Sequence, residues 1–389
     1  MPLQLTNCNV VELETGSILE DVSIVIEGDR ISNIAKHRDL QISKTLDLKG
    51  AFVLPSLVNV HNNLSHTYPI DVNENPAATV LRCYRRAYDG LLSGVTTIRT
   101  VGEVHRVDFI LRDQINKGTI VGPRILAGGK ALSVTSNLGI HEGHVLADGA
   151  DEFTKAARQE ISLGADHLKV YATGGITGDF RTPQMTVAEM KAVVSVAKSH
   201  NTYVAAHAGG SDAIILAAEA GVLSIEHAYD LNNEAITAMK QNECYLVPTL
   251  GVTRSPMWMK EHHFPAAVIE RATFFGNMHL ESIRKAVRAG VKVVNGTDIP
   301  PGDKNNGINV SIKEMQYLVE AGLSNLQAIR ASTSEAAALC RLNDAIGEVK
   351  IGYYADLIAV KGNPLTDLKN MEHIELVIKS GEVLRNTYA

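Results

Sequence analysis

The chain has little cysteine: Cys8, Cys83, Cys244 and Cys340 are all there is in 389 residues, and no two form a Cys-x-x-Cys pair. This excludes a disulfide framework and a thiolate zinc site, and leaves the four thiols as small buried hydrophobes. No apolar run approaches the ~18 residues of a membrane helix. The start, Met1-Pro2-Leu3-Gln4-Leu5-Thr6, has no basic stretch followed by an apolar one. A soluble, cytoplasmic protein is expected. Runs of like charge are also missing; 37 Lys and Arg against 43 Asp and Glu give a formal net charge of −6. Nucleic acid and membrane surfaces are therefore excluded as partners, and the expectation is a small-molecule substrate bound by a homo-oligomer. Finally, no Gly-x-Gly-x-x-Gly follows the first strand, which removes the main support for a dinucleotide fold.

What is present is enough apolar sequence, 45% of residues, to bury a large core. The first fifty residues alternate and turn as strands do, in Leu5 to Val11, Val22 to Glu27, Ile31 to Ala35 and Thr45 to Leu48. Glu27-Gly28-Asp29-Arg30 suits a hairpin. A matching β-rich stretch lies at the far end, in Ala355 to Val360 and Leu376 to Ile378. Both termini thus read as one small β-domain, residues 1–53 plus 352–389, around a central part at 54–351.

In that central part strands alternate with helical segments, the pattern of a parallel α/β architecture. Eight strands are predicted: Ala51 to His61, Val95 to Arg99, Arg124 to Ala127, His167 to Val170, Tyr203 to His207, Leu223 to His227, Tyr245 to Pro248 and Val291 to Asn295. Helices are predicted at Asp151 to Leu163, Thr186 to Ser199, Ala213 to Ala220 and Val268 to Ala289, some opening on an Asp or Thr that suits an N-cap. Eight such units favour a closed (β/α)8 barrel over an open sheet.

Polar side chains able to bind metal sit at or near the ends of several apolar runs: His61, Lys169, His207, His227 and Asp298. In a barrel they converge on one rim. His207 and His227 close runs expected to be adjacent strands, ~4.8 Å apart, so the two imidazoles are predicted to lie in phase and share an ion. Lys169 would repel a metal as an ammonium and cost several kcal/mol to bury charged. Carboxylation to a carbamate makes it an anion that can bridge two ions; the alternative is a surface lysine at a strand edge. Asp298 can ligate a metal, take a proton from water and hand it to a leaving amine. Alone, it could equally cap the segment that follows.

With these residues, in the order His, Lys, His, His, Asp, the chain resembles the metal-dependent amidohydrolases, in the branch of imidazolonepropionase-like, prolidase-like and ochratoxinase-type enzymes. The resemblance runs from Leu48-Lys49-Gly50-Ala51-Phe52-Val53-Leu54-Pro55 through Ser93-Gly94-Val95-Thr96-Thr97 and Lys169 to Gly347-Glu348-Val349 and Ala355-Asp356-Leu357. It implies an α/β fold, a (β/α)8 TIM barrel with a small β-sandwich built from both termini. It also implies one or two divalent ions, zinc in the first place and manganese as the alternative, with N6-carboxylysine at Lys169. His61 and Asp298 would hold the more buried ion and His207 and His227 the more exposed one. Tyr229 would bind a substrate carboxylate, and His141 would polarise the scissile carbonyl, with His144 as the other candidate for that role; both could instead be solvated loop histidines.

Two departures stand out. Where the family reads Pro-Gly-Leu-Ile-Asp-x-His-x-His, this chain has Pro55-Ser56-Leu57-Val58-Asn59-Val60-His61-Asn62-Asn63, so Asn63 takes the place of an imidazole. A carboxamide oxygen is a weaker zinc ligand than imidazole nitrogen, and the buried ion is expected to bind less tightly. Thr100 stands where relatives often carry Asp. The loop Gly251 to His263 should shape the pocket, with Met257 and Trp258 as an apolar wall or packed beneath the loop. The expected activity is hydrolysis of a small-molecule amide, an N-acyl amino acid or a dipeptide. The alternatives are a cyclic-amide hydrolase related to imidazolonepropionase, and a metal-poor, catalytically silent binding protein.

Overall fold

The structure is a computed structural model that describes residues 2–36, 42, 44–66, 74–136, 143–176 and 178–388. Four strands open the chain: Leu3–Val11 (β1), Ile18–Glu27 (β2), Arg30–Lys36 (β3) and Lys44–Pro55 (β4). The next ten run through the central part: Leu57–Asn62 (β5), Val95–Thr100 (β6), Arg124–Leu126 (β7), Ala131–Ser133 (β8), His144–Leu146 (β9), Leu168–Tyr171 (β10), Val204–Gly210 (β11), Ser224–Asp230 (β12), Tyr245–Val247 (β13) and Lys292–Val293 (β14). A short hairpin, Lys304–Asn305 (β15) and Ile308–Asn309 (β16), precedes the closing strands Leu357–Val360 (β17), Ile374–Lys379 (β18) and Glu382–Asn386 (β19).

Both termini build one mixed sheet of seven strands, in the order β19-β18-β17-β4-β1-β2-β3, which resembles a small β-sandwich domain. Its middle strand β4 runs parallel to β1 and antiparallel to β17, and so joins the two distant pieces of chain. The Glu27 to Arg30 turn is a hairpin as read from sequence, with Gly28 supplying the left-handed φ of +61°. One strand expectation is corrected: Ala51 to His61 is not continuous. Pro55 has no N–H to extend the ladder, and the chain changes sheets at Ser56, whose own N–H bonds to Asp356 O at 2.9 Å.

The remaining strands form a parallel, TIM-barrel-like wall. β5, β6 and β7 pair in order, and β8 and β10 to β14 form a second parallel run. Backbone hydrogen bonds close the ring, from Asp166 N to Ala127 O at 2.8 Å on one side and from Val60 N to Asn295 O at 3.0 Å on the other. β5 and β6 are buried along their whole length, polar residues included, as strands with helices outside and a filled barrel inside must be. The core between strands and helices divides into two large clusters, one around Leu168, Val193, Ile214, Ile225 and Leu246 and one around Cys83, Ile98, Val107 and Ile125.

Helices Gly149–Ser162, Val187–Ser199, Ser211–Ala220 and Ala266–Arg288 fall where the sequence placed them. Thr186 caps its helix in a reciprocal box with Glu189. Asp151 does not cap: it lies inside the first turn, behind Asp148. The segment Gly251 to His263 is not a loop either, but two short helices, Gly251–Arg254 and Pro256–Glu261.

Closure of the ring depends on a residue without a side chain. A Cβ on Gly296 would lie 2.5 Å from Val247 Cγ1, 2.6 Å from His61 Cβ and 2.9 Å from His61 N. Gly296→Ala should therefore destabilise the protein by about 1–3 kcal/mol through overpacking, read from the midpoint of urea denaturation.

Candidate metal centre and its surroundings

Parallel pairing fixes which side chains face the barrel axis. Tyr171 pairs with His207 and His207 with Glu226, so these three share a face; Lys169, Ala205 and Ser224 share it one step earlier. His207 and His227 do stand on neighbouring strands, but they are not in phase, because His227 pairs with Ala208 and would face outward in a regular strand. The backbone corrects this. His227 and Ala228 take left-handed φ angles of 76° and 52°, costly for residues with a side chain, and the kink turns the imidazole inward beside Glu226. Neighbours hold the kink: His279 lies 3.0 Å from His227 O, and Ser282 Oγ donates to Ala228 O at 2.7 Å, both from the helix Ala266–Arg288.

His61 comes from the end of β5. Asp298, with φ of 54°, follows the last strand, and its N–H donates to His61 O at 2.9 Å. No helix starts at Asp298, so it is not a cap; the next helix, Val310–Glu320, is capped by Asn309. One ligand atom each from His61, His227 and Asp298 lie within 4.8 Å of one another, and the two imidazoles are buried. His61 Nε2 is 3.4 Å from Asp298 Oδ1, and Asn63 Nδ2 donates to that same carboxylate oxygen. The trio mixes the two sets expected from sequence, with His227 joining His61 and Asp298.

Around the trio, donors are oriented by fixed partners. His227 Nδ1 is 2.7 Å from Thr249 Oγ1, which leaves Nε2 for the centre. His207 Nε2 is 3.0 Å from Gly174 O; a carbonyl only accepts, so the proton is on Nε2 and the lone pair on Nδ1. His207 and His227 rings are 4.4 Å apart, and His207 Nδ1 has no hydrogen-bond partner among the described residues. Lys169 Nζ has none either, and the residue is 1% exposed, which excludes the surface reading. Burial pulls its amine down to about 8, against the pull of Glu226 and Asp298. Two buried polar atoms without partners beside a His, His, Asp cluster are a site built for a cation, and the donors suit one divalent ion.

The remaining expectations divide. Tyr229 is buried and stacked on His227, with ring centroids 5.3 Å apart. His144 is not a solvated loop residue: it opens β9, is buried and packs 4.5 Å from Tyr171, whose ring also stacks on His207 at 4.6 Å. His141 lies outside the described residues. Trp258 packs beneath the surface and donates to Asp303 at 3.0 Å, and Met257 is 53% exposed, so neither walls the centre. The apolar cluster beside Tyr229 comes instead from Ile176 and Phe180, with Phe275 packed against it. Thr100 donates to Asp108 at 2.8 Å, which places a carboxylate beside that position from elsewhere in the chain.

Sequence reasoning missed Glu226 and Arg99, both fully buried in the barrel. The signal was available: a carboxylate and a guanidinium inside runs read as buried strands need each other. His66 was missed too; together with His61 and Lys169 it outweighs the effect of burial on Asp298, whose carboxyl titrates below its ordinary range.

A closed parallel barrel with a His, His, Asp metal centre at the C-terminal rim of its strands defines a metal-dependent hydrolase. The chain belongs to the amidohydrolase family, whose sequence profile matches residues 52–384, and it acts on an amide or related C–N bond. It is similar to a Xaa-Pro dipeptidase solved with methionine in its active site, at 32% identity and a TM-score of 0.90, over 99% of this chain and 100% of the other. A prolidase solved with N-methylphosphonate-L-proline is 26% identical with a TM-score of 0.90, over the full length of both chains. The ochratoxinase of Aspergillus niger is 28% identical over 91% of this chain and 80% of its own length.

Two predictions follow from the centre. Asn63→His should raise the number of divalent ions retained per chain after dialysis, measured by elemental analysis; an unchanged count would contradict the assigned weakness of the carboxamide. The second concerns acid. Burial lowers His279 to about 4 and His207 to about 3, while an unfolded histidine titrates at about 6.5. Between these values the unfolded chain binds protons that the folded chain does not, so stability present above pH 6.5 is lost as pH falls through about 4. Urea denaturation of metal-free protein should show this fall, and His279→Gln should make it shallower.

Proposed function

We propose that this protein is a dipeptidase or N-acyl amino acid amidase that uses zinc, with manganese as the alternative metal. The observation that carries the reading is the buried His61, His227 and Asp298 cluster, in a chain that matches two peptide-bond hydrolases over nearly its full length. The fold and the burial of His61 and His227 support a small substrate over an intact protein. Among the described residues no helix is long and apolar enough to cross a membrane.

In this reading His61, His207, His227 and Asp298 hold the metal. Once bound, the ion supplies Lewis acidity, lowering the pKa of water toward about 7 and polarising the amide carbonyl. Asp298 moves the proton. Its Oδ1 is tied to Asn63 Nδ2 and faces His61, which leaves Oδ2 to accept a proton from the attacking water and return it to the leaving amine nitrogen. Tyr229, stacked on His227, would bind the substrate carboxylate through its phenol, and the cluster of Ile176 and Phe180 would offer an apolar wall next to it. His144, packed on the Tyr171 ring that also stacks on His207, is one candidate for polarising the carbonyl; His141 is the other.

Lys169 enters as a carbamate. Carbon dioxide reacts with a neutral amine and not with an ammonium, releasing one proton. A buried amine titrating at about 8 with no hydrogen-bond partner is suited to that reaction. The anion so formed would let a second ion share the site, with Asn63 in the weakest ligand position.

Asp298→Asn should lower kcat by ~10²-fold or more while leaving the far-ultraviolet spectrum unchanged. Activity should be measured against a panel of dipeptides and N-acyl amino acids, with metal restored after chelation. Turnover of none of them by the metal-loaded wild-type protein, or near-normal turnover by Asp298→Asn, would refute the reading.

A further inference from the structure

Glu226 is a charged group inside the barrel with no direct place among the metal donors, yet both its oxygens are engaged. Oε2 lies 2.6 Å from His61 Nδ1. Oε1 accepts from Arg99 Nη2 at 2.8 Å and from Ser224 Oγ at 2.5 Å. Arg99 completes the frame: Nη1 donates to Ser224 Oγ at 3.1 Å, and Nε donates to Val60 O at 2.6 Å, on the residue just before His61. Arg99 and Glu226 are both fully buried. A buried pair of this kind is poor evidence for stability, because desolvation offsets much of the attraction; a role in orientation accounts better for its place.

We propose that Glu226, held by Arg99 and Ser224, is a positioning residue that sets the tautomer of His61 and aims its Nε2 lone pair at the metal. The inference rests on the reading of His61 as a metal ligand. A carboxylate has no proton to give, so the short contact puts the proton of His61 on Nδ1 and leaves Nε2 as the donor. That nitrogen belongs to the face shared with Asp298 Oδ1 and His227. The negative charge also makes the imidazole a better ligand. Where Asn63 leaves the centre one imidazole short, the fixed and strengthened His61 offsets part of that loss. The tether from Arg99 to Val60 O holds the backbone of β5 at the same point, so ring and main chain are fixed by one guanidinium.

Geometry makes the consequence of Glu226→Gln specific. The amide oxygen must face Arg99 and Ser224, which only donate there, and the amide N–H then faces His61 Nδ1. His61 is forced into the opposite tautomer, with its proton on Nε2 and no lone pair for the metal.

The test uses metal-free, histidine-labelled full-length protein and nuclear magnetic resonance of the ring nitrogens, with His61 assigned by its loss in His61→Gln. Wild type should show His61 protonated at Nδ1, and Glu226→Gln should show it at Nε2. The dissociation constant for zinc, from competition with a chelator, should rise ~10–100-fold in Glu226→Gln. The wild-type tautomer needs no variant, so it decides the matter even if Glu226→Gln fails to fold; a His61 proton on Nε2 in wild type overturns the proposal. An unswapped tautomer with unchanged zinc affinity in Glu226→Gln overturns it alone, provided His61→Gln loses zinc. If His61→Gln binds zinc as tightly as wild type, the metal-centre reading falls, and this inference falls with it.

Discussion

The seam between the first and last strands of the barrel is the constraint on which the rest depends. His61 O accepts from the backbone N–H groups of both Thr297 and Asp298, and Gly296 lies flat against His61. This contact joins segments far apart in sequence and sets His61 Nε2 3.4 Å from Asp298 Oδ1. A side chain at 296 would separate the two walls. The metal centre is thus a by-product of ring closure: the backbone that shuts the barrel is the backbone that carries two of its donors.

Electrostatics inside the ring follow from the same closure. Arg99, Glu226 and Lys169 are enclosed with the metal donors, where a charge without a partner costs several kcal/mol. Arg99 holds the Glu226 carboxyl far below its ordinary range, even though burial works the other way. Lys169 has no hydrogen-bond partner among the described residues, and burial lowers its amine to about 8. Fixed polar neighbours around His207 and His227 settle which ring nitrogen faces inward without help from a ligand. The centre is therefore largely arranged before a cation arrives.

Much of this was legible in the sequence because the signals were local. Apolar runs located the barrel strands to within a few residues, and the residues ending them supplied the donors. What was not legible depends on backbone angles and on distant partners. Periodicity alone placed His207 and His227 on a common face, whereas register assigns that face to Glu226, and only the left-handed turn at His227 restores the imidazole to the centre. The sequence leaves Trp258 between a pocket wall and packing beneath a loop; the segment folds as helices, and the packed alternative holds. The break at Ser56 escaped notice since Pro55 interrupts hydrogen bonding without interrupting the apolar pattern.

The kink at His227 also ties the centre to something remote. Its freed carbonyls are satisfied by His279 and Ser282, so the aim of one metal donor is set by a 23-residue helix whose outer surface meets solvent. Drift in that helix can retune the metal site from a distance, through a lever and not through contact. A substitution along this helix can thus change metal demand while every coordinating side chain stays the same.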